Sequence, residues 1–99
     1  MRFKVNGMEY TIQIVEKLEE GELGNTDYLN NTITLAKCKK NRMLQTLAHE
    51  LMHIWLFEYG HNQNERNFSN EDVCEIIASS IFDVHRILEL FKEDVERWK

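Results

Sequence analysis

Apolar and polar positions alternate near the start of the chain and recur at helical spacing towards its end. Arg2-Phe3-Lys4-Val5 alternates, and Met8 to Val15 repeats the alternation in Tyr, Thr, Ile and Val, residues that suit a half-buried strand. Asn6-Gly7 lies between them, a pair that accepts the positive φ of a two-residue hairpin turn. Glu16 to Gly24 is acidic, ends in Gly-Glu-Leu-Gly and predicts a turn or loop. Thr26 to Leu29 is a third strand candidate. Asn30-Asn31 is a turn signal, because asparagine tolerates a positive φ. Thr32-Ile33-Thr34-Leu35-Ala36 alternates again in β-branched residues and predicts a fourth strand.

From Lys39 to Tyr59 the pattern is helical, and Gly60 supplies a C-terminal cap. His61 to Phe68 is polar and predicts a loop. Ser69 is an N-cap with Asp72 three residues later, a variant of the capping box. The helix it opens runs to about Trp98. Strands first and helices afterwards predict an α+β fold: a small antiparallel or mixed sheet of about four strands followed by two helices.

The 99 residues fit one domain over positions 1–99. A net charge of −5 disfavours nucleic acid as a partner, since a binder of phosphates shows a basic patch. Lys37, Lys39, Lys40 and Arg42 are the one basic cluster, and they read as a solvated linker and helix start rather than a phosphate site. Cys38 and Cys74 make neither a spaced metal pair nor a disulfide framework. The N-terminus has no apolar core of a signal peptide, and no apolar run is long enough to span a bilayer. The expected compartment is the cytoplasm, with no membrane partner.

The chemistry concentrates in His49-Glu50-Leu51-Met52-His53. Residues four apart on a helix share a face, so both imidazoles address one point. Glu50 is turned about 100° from His49 and can reach a water at that point without ligating a metal. Two zinc ligands and a carboxylate general base are the arrangement of a zinc peptidase. Leu44, Leu47, Leu51, Ile54 and Trp55 face away from the histidines, with Met43 and Phe57 on the flanks. A helix so apolar is expected to be buried, and buried histidines need partners that a metal supplies.

Catalytic zinc takes three protein ligands and an open position. The last helix offers Glu71, Cys74, Glu75 and Ala78 on one face. Glu71 is the favoured third ligand and Glu75 the alternative ligand or the acceptor of a histidine N–H. Cys74 points about 60° from Glu71 by helical geometry. Attraction of acidic residues to a helix N-terminus accounts for Glu71 and Asp72 without a metal, and for Glu75 less well.

With Asn70-Glu71-Asp72-Val73-Cys74-Glu75 following the first motif, the chain resembles the gluzincins, the thermolysin-like zinc peptidases. That resemblance implies Glu71 as third zinc ligand and Glu75 as the partner of a ligand histidine. The chain is more closely similar to the small ImmA/IrrE-like metallopeptidases of phages, mobile elements and their Gram-positive hosts. Their second helix resembles E-x-x-A-x-x-F-A, here Glu71, Cys74, Ile77 and Ala78. Tyr28 to Leu35 resembles the hairpin before their active-site helix. The likeness covers roughly residues 25–82 and implies a minimal zincin fold, Zn²⁺ as cofactor and a protein or peptide as substrate. Larger gluzincins carry a further domain that supplies a donor to the oxyanion, and none is expected here.

Losing such a donor costs about 10²–10³ in rate, so a replacement is sought. His61 is the candidate, with Tyr28 and Tyr59 as alternatives that also read as packing residues. His85 is about 21 Å of helix beyond Glu71 and is expected on the surface or in the core. The apolar positions Ile81, Phe82, Leu88, Leu90, Phe91 and Trp98 predict core packing, with self-association through this helix as a second expectation. Thr32 to Ala36 is expected to pair with an extended substrate, as an edge strand does. Two function classes follow. One is a peptidase with Glu50 as general base. The other is a weakly active or inactive zinc-binding accessory module of a phage or mobile element.

Overall fold

The structure, a computed structural model, describes residues 1–59 and 69–97. Four strands, β1 (Arg2–Val5), β2 (Met8–Val15), β3 (Gly24–Asp27) and β4 (Thr32–Ala36), are followed by two helices, α1 (Lys40–Glu58) and α2 (Asn70–Arg97). The expected α+β order is therefore observed. Asn6 and Gly7 take φ values of 51° and 78°, and Val5 pairs with Met8 across them. Two successive positive φ angles match the right-handed twist of the strands they join, which closes β1 and β2 into a hairpin.

The sheet is mixed, in the order β1-β2-β4-β3. β2 and β4 run parallel, with Ile12 opposite Ile33 and Ile14 opposite Leu35. The chain between them crosses through a single 3-10 turn at Glu19–Gly21 and then β3, which returns antiparallel to β4. Asp27 closes the β3–β4 turn: its carboxylate accepts the amides of Leu29 and Asn30 at 2.9 and 3.2 Å. Bonds from the Asn30 side chain and these amides hold its carboxyl below the usual carboxylate range.

This order corrects the expectation for Thr32–Ala36. β4 lies between β2 and β3, so both of its edges are already paired, and the free edges are β1 and β3. β3 also starts earlier than expected, at Gly24, where the acidic Gly-Glu-Leu-Gly stretch had predicted a loop. A Cβ at Gly24 would stand 2.7 Å from Cγ2 of Thr46 on α1. The glycine is what allows the strand to lie directly against the helix.

The core forms between one face of the sheet and both helices. Phe3, Val5, Tyr10, Ile12, Ile33 and Leu35 come from the strands. Leu47, Leu51, Ile54 and Trp55 answer from α1, as their spacing predicts; Met43, expected on the flank, is buried with them, whereas Leu44, expected on the buried side, is only partly buried and Phe57 is exposed. Each such side chain, fully buried, contributes about 1.5–3 kcal/mol by leaving water. The lower half of α2 adds Ile87, Phe91 and Val95. Its remaining apolar positions divide: Leu88 is partly buried against the core, whereas Val73, Ile77, Ile81, Phe82 and Leu90 are exposed. His85 is exposed, and Trp98 lies outside the described residues. No helix among the described residues is long and apolar enough to cross a membrane.

α2 opens as its sequence predicts. The Ser69 amide donates to Asp72 Oδ2 at 3.0 Å, and the Asp72 amide donates back to Ser69 Oγ at 3.2 Å. This reciprocal pair satisfies donors that the first turn leaves open.

Candidate metal centre

α1 carries its apolar stripe into the core and its histidines on the other side. His49 and His53, one turn apart, bring their Nε2 atoms to 3.1 Å, with the rings edge to face. The Glu50 carboxylate joins them. Ligand atoms of His49, Glu50 and His53 all lie within 4.8 Å of one another, and no other such group of three occurs among the described residues.

The reason expected for a metal needs revision. Both histidines are exposed, so burial does not force a partner on them. Glu50 is the buried member, at 8 % exposure. Its partner comes from the sheet: Thr26 Oγ1 on β3 donates to Glu50 Oε1 at 2.8 Å. Sequence reasoning did not single out Thr26, because a threonine in a short strand carries no signal beyond β propensity. Its role appears only when β3 is placed against α1, which Gly24 permits.

The histidine pair fits a zinc ion. Two nitrogens bound at about 2.0–2.1 Å in a tetrahedral site lie about 3.3 Å apart. The observed 3.1 Å is close to that. Thr26 holds one oxygen of the Glu50 carboxylate. Thr26→Val removes that hydrogen bond at constant shape. It should lower stability by about 1–3 kcal/mol, the cost of stranding a buried acceptor, as measured by urea unfolding. Thr26→Ser should restore most of the loss.

Around this centre the other candidates separate. Tyr28 is partly buried and packs at a tilt against Phe57, one turn beyond His53, with ring centroids 4.3 Å apart. Burial first, and then the Glu50 and Glu58 carboxylates, push its phenol above the ordinary range. Glu58 in turn accepts a hydrogen bond from the Tyr10 hydroxyl. Tyr59 is about half exposed, at 49 %. His61 lies outside the described residues.

Glu71, Cys74 and Glu75 are exposed on the first turns of α2 and stand apart from the His49–Glu50–His53 group. The two helices meet further along, where buried Ser80 on α2 touches the Met52 sulfur on α1 at 3.8 Å. From Glu71 to Ser80 is nine residues, or about 13.5 Å of helix.

The profile of the M78 peptidases, described as the IrrE N-terminal-like domain, matches residues 9–82, from β2 to the middle of α2. Neither a curated protein nor a solved structure matches the chain.

Proposed function

The chain belongs to the IrrE N-terminal-like family of M78 peptidases, and from that premise we propose that it is a zinc-dependent peptidase acting on a protein or peptide. The observation that carries this reading is the His49–His53 pair, with its nitrogens at zinc-site spacing and Glu50 beside it, fixed by Thr26. His49 and His53 would hold the ion. Glu71 is proposed as the third ligand, on its place after Asn70 in the second motif. Glu75 is the rival ligand, or the group that orients a histidine. When bound, zinc supplies Lewis acidity to the site.

The protein's own groups do the rest. Glu50 Oε1 stays on the Thr26 hydroxyl, which fixes the carboxylate plane. Oε2 takes the proton of the attacking water and passes it to the leaving amine. General-base assistance of this kind contributes about 10²–10⁴ in rate. An extended substrate adds to β3, the edge strand that faces the centre, through main-chain hydrogen bonds. Tyr28 and His61 are the candidates to donate to the developing oxyanion. Free, exposed Cys38 and Cys74 fit a reducing, cytoplasmic compartment.

A second reading is a zinc-binding accessory module of a phage or mobile element with weak or no activity. Its support is the position of Glu71 outside the donor group. Self-association through α2 is proposed for either reading, on the exposed Val73, Ile77 and Phe82.

The test is cleavage of an unfolded protein by the zinc-loaded chain, with chelation abolishing it and zinc restoring it. Cleavage that a chelator leaves unchanged would overturn the zinc mechanism. In the same preparation Glu71→Ala should weaken zinc binding more than Glu75→Ala. The latter should cost about 10–100-fold, as loss of an orienting carboxylate does. The reverse order would move the third ligand to Glu75.

A further inference from the structure

One cleft connects the candidate metal centre to an exposed arginine. It has a volume of about 380 Å³ and runs between β3 and α1, with His49 and Glu50 at one end and Arg42 at the other. Arg42, Gln45 and His49 follow one another at helical spacing along α1, so Arg42 lies on the stripe that bears the histidines. The opposite wall is Leu23 and the start of the edge strand β3 at Gly24. Because Gly24 has no side chain, the strand backbone itself comes close there.

The charges in this cleft are unequal. Glu50, its one acid, is buried and already bonded to Thr26. Arg42, its one guanidinium, is exposed and has no ion pair among the described residues. The guanidinium presents donors in a fork that matches a carboxylate. Seven residues of helix separate Arg42 from His49, about 10.5 Å. An extended peptide rises about 3.3 Å per residue. A residue about two or three positions from the scissile bond would therefore reach Arg42.

We infer that Arg42 forms a carboxylate-binding subsite, selecting peptides that carry a negative group about two or three residues from the bond cleaved. The inference rests on the peptidase reading for where the scissile bond lies, and its binding arm does not depend on turnover. The carboxylate is either an acidic side chain or the free C-terminus of the peptide, and the experiment separates the two.

The probes are fluorescein-labelled octapeptides carrying one glutamate scanned through each position, the matching glutamine set, and both sets with amidated C-termini. Binding to the zinc-loaded chain is followed by anisotropy and hydrolysis by chromatography of the same samples. In the favoured register glutamate should bind about three- to tenfold tighter than glutamine, between the effect of an exposed ion pair and that of a hydrogen-bonded charge. The preference should shrink as salt is raised. Arg42→Gln should erase it while leaving the circular dichroism and zinc content unchanged, and Arg42→Lys should keep part of it. A preference that survives amidation belongs to a side chain, and one that amidation abolishes belongs to the C-terminus. Equal binding of glutamate and glutamine sets, no binding of any peptide, or a preference unaltered in Arg42→Gln would overturn the subsite. Hydrolysis without charge preference would overturn the subsite and leave the peptidase reading standing. Charge-selective binding without hydrolysis would do the reverse.

Discussion

Glu50→Gln should bind zinc and fold like the wild type yet lose peptide cleavage by at least about 10²–10⁴-fold, the contribution of a general base. The substitution is nearly isosteric. Its amide oxygen can still accept from Thr26 Oγ1, now 2.8 Å from Glu50 Oε1, so the link between β3 and α1 is kept. The amide cannot take a proton from water. The loss should therefore fall on kcat, because the base works in the transition state and the substrate docks elsewhere, along β3. Zinc content and thermal melting of the variant serve as controls. Retained cleavage would remove Glu50 from the mechanism, whereas an unchanged biological activity with no cleavage by either form would favour the accessory module.

His49→Ala should abolish the stabilisation that zinc confers. An ion present at about a hundred times its dissociation constant adds about 2.7 kcal/mol to a fold that alone can bind it. For a chain of this length each kcal/mol moves the melting temperature by about 4–8 °C. Saturating zinc should then raise the wild-type melting temperature by about 10–20 °C and leave His49→Ala nearly unmoved. Without zinc the two proteins should melt together, because His49 is exposed and its imidazole contributes little to the core. A variant that melts far below the metal-free wild type would assign His49 a packing role instead.

The parts of the fold that were legible in the sequence are those governed by local chemistry. Asn6-Gly7 announces the hairpin, because few other pairs accept two positive φ angles. Ser69 and Asp72 mark the start of α2 by satisfying each other's amides. The apolar stripe Leu47, Leu51, Ile54 and Trp55 sets which side of α1 is buried, and so where His49 and His53 emerge. What remained illegible depends on contacts between distant segments. The parallel pairing of β2 with β4 places Thr32–Ala36 inside the sheet, and nothing in that alternating stretch distinguishes an interior strand from an edge. Gly24 reads as a turn residue until α1 is seen lying against it. Thr26 and Arg42 acquire their roles in the same way, one by touching Glu50 and the other by lining the cleft that leads to it. On α2 the helix turns Glu71, Cys74 and Glu75 to solvent and buries Ile76, Ser80, Ile87, Phe91 and Val95, a choice of face that the spacing of its acidic residues does not announce.

His49 and His53, with their Nε2 atoms 3.1 Å apart, are proposed to share one metal ion. Elemental analysis of the wild-type chain, purified without chelator and then dialysed against a small excess of zinc, tests this most directly. About one zinc ion per chain is expected, displaced by neither magnesium nor calcium, since imidazole ligands select the softer ion. Less than about a tenth of an equivalent, with no further uptake on adding zinc, would contradict it, because a preformed pair of ligands at this spacing should bind the ion whenever it is supplied.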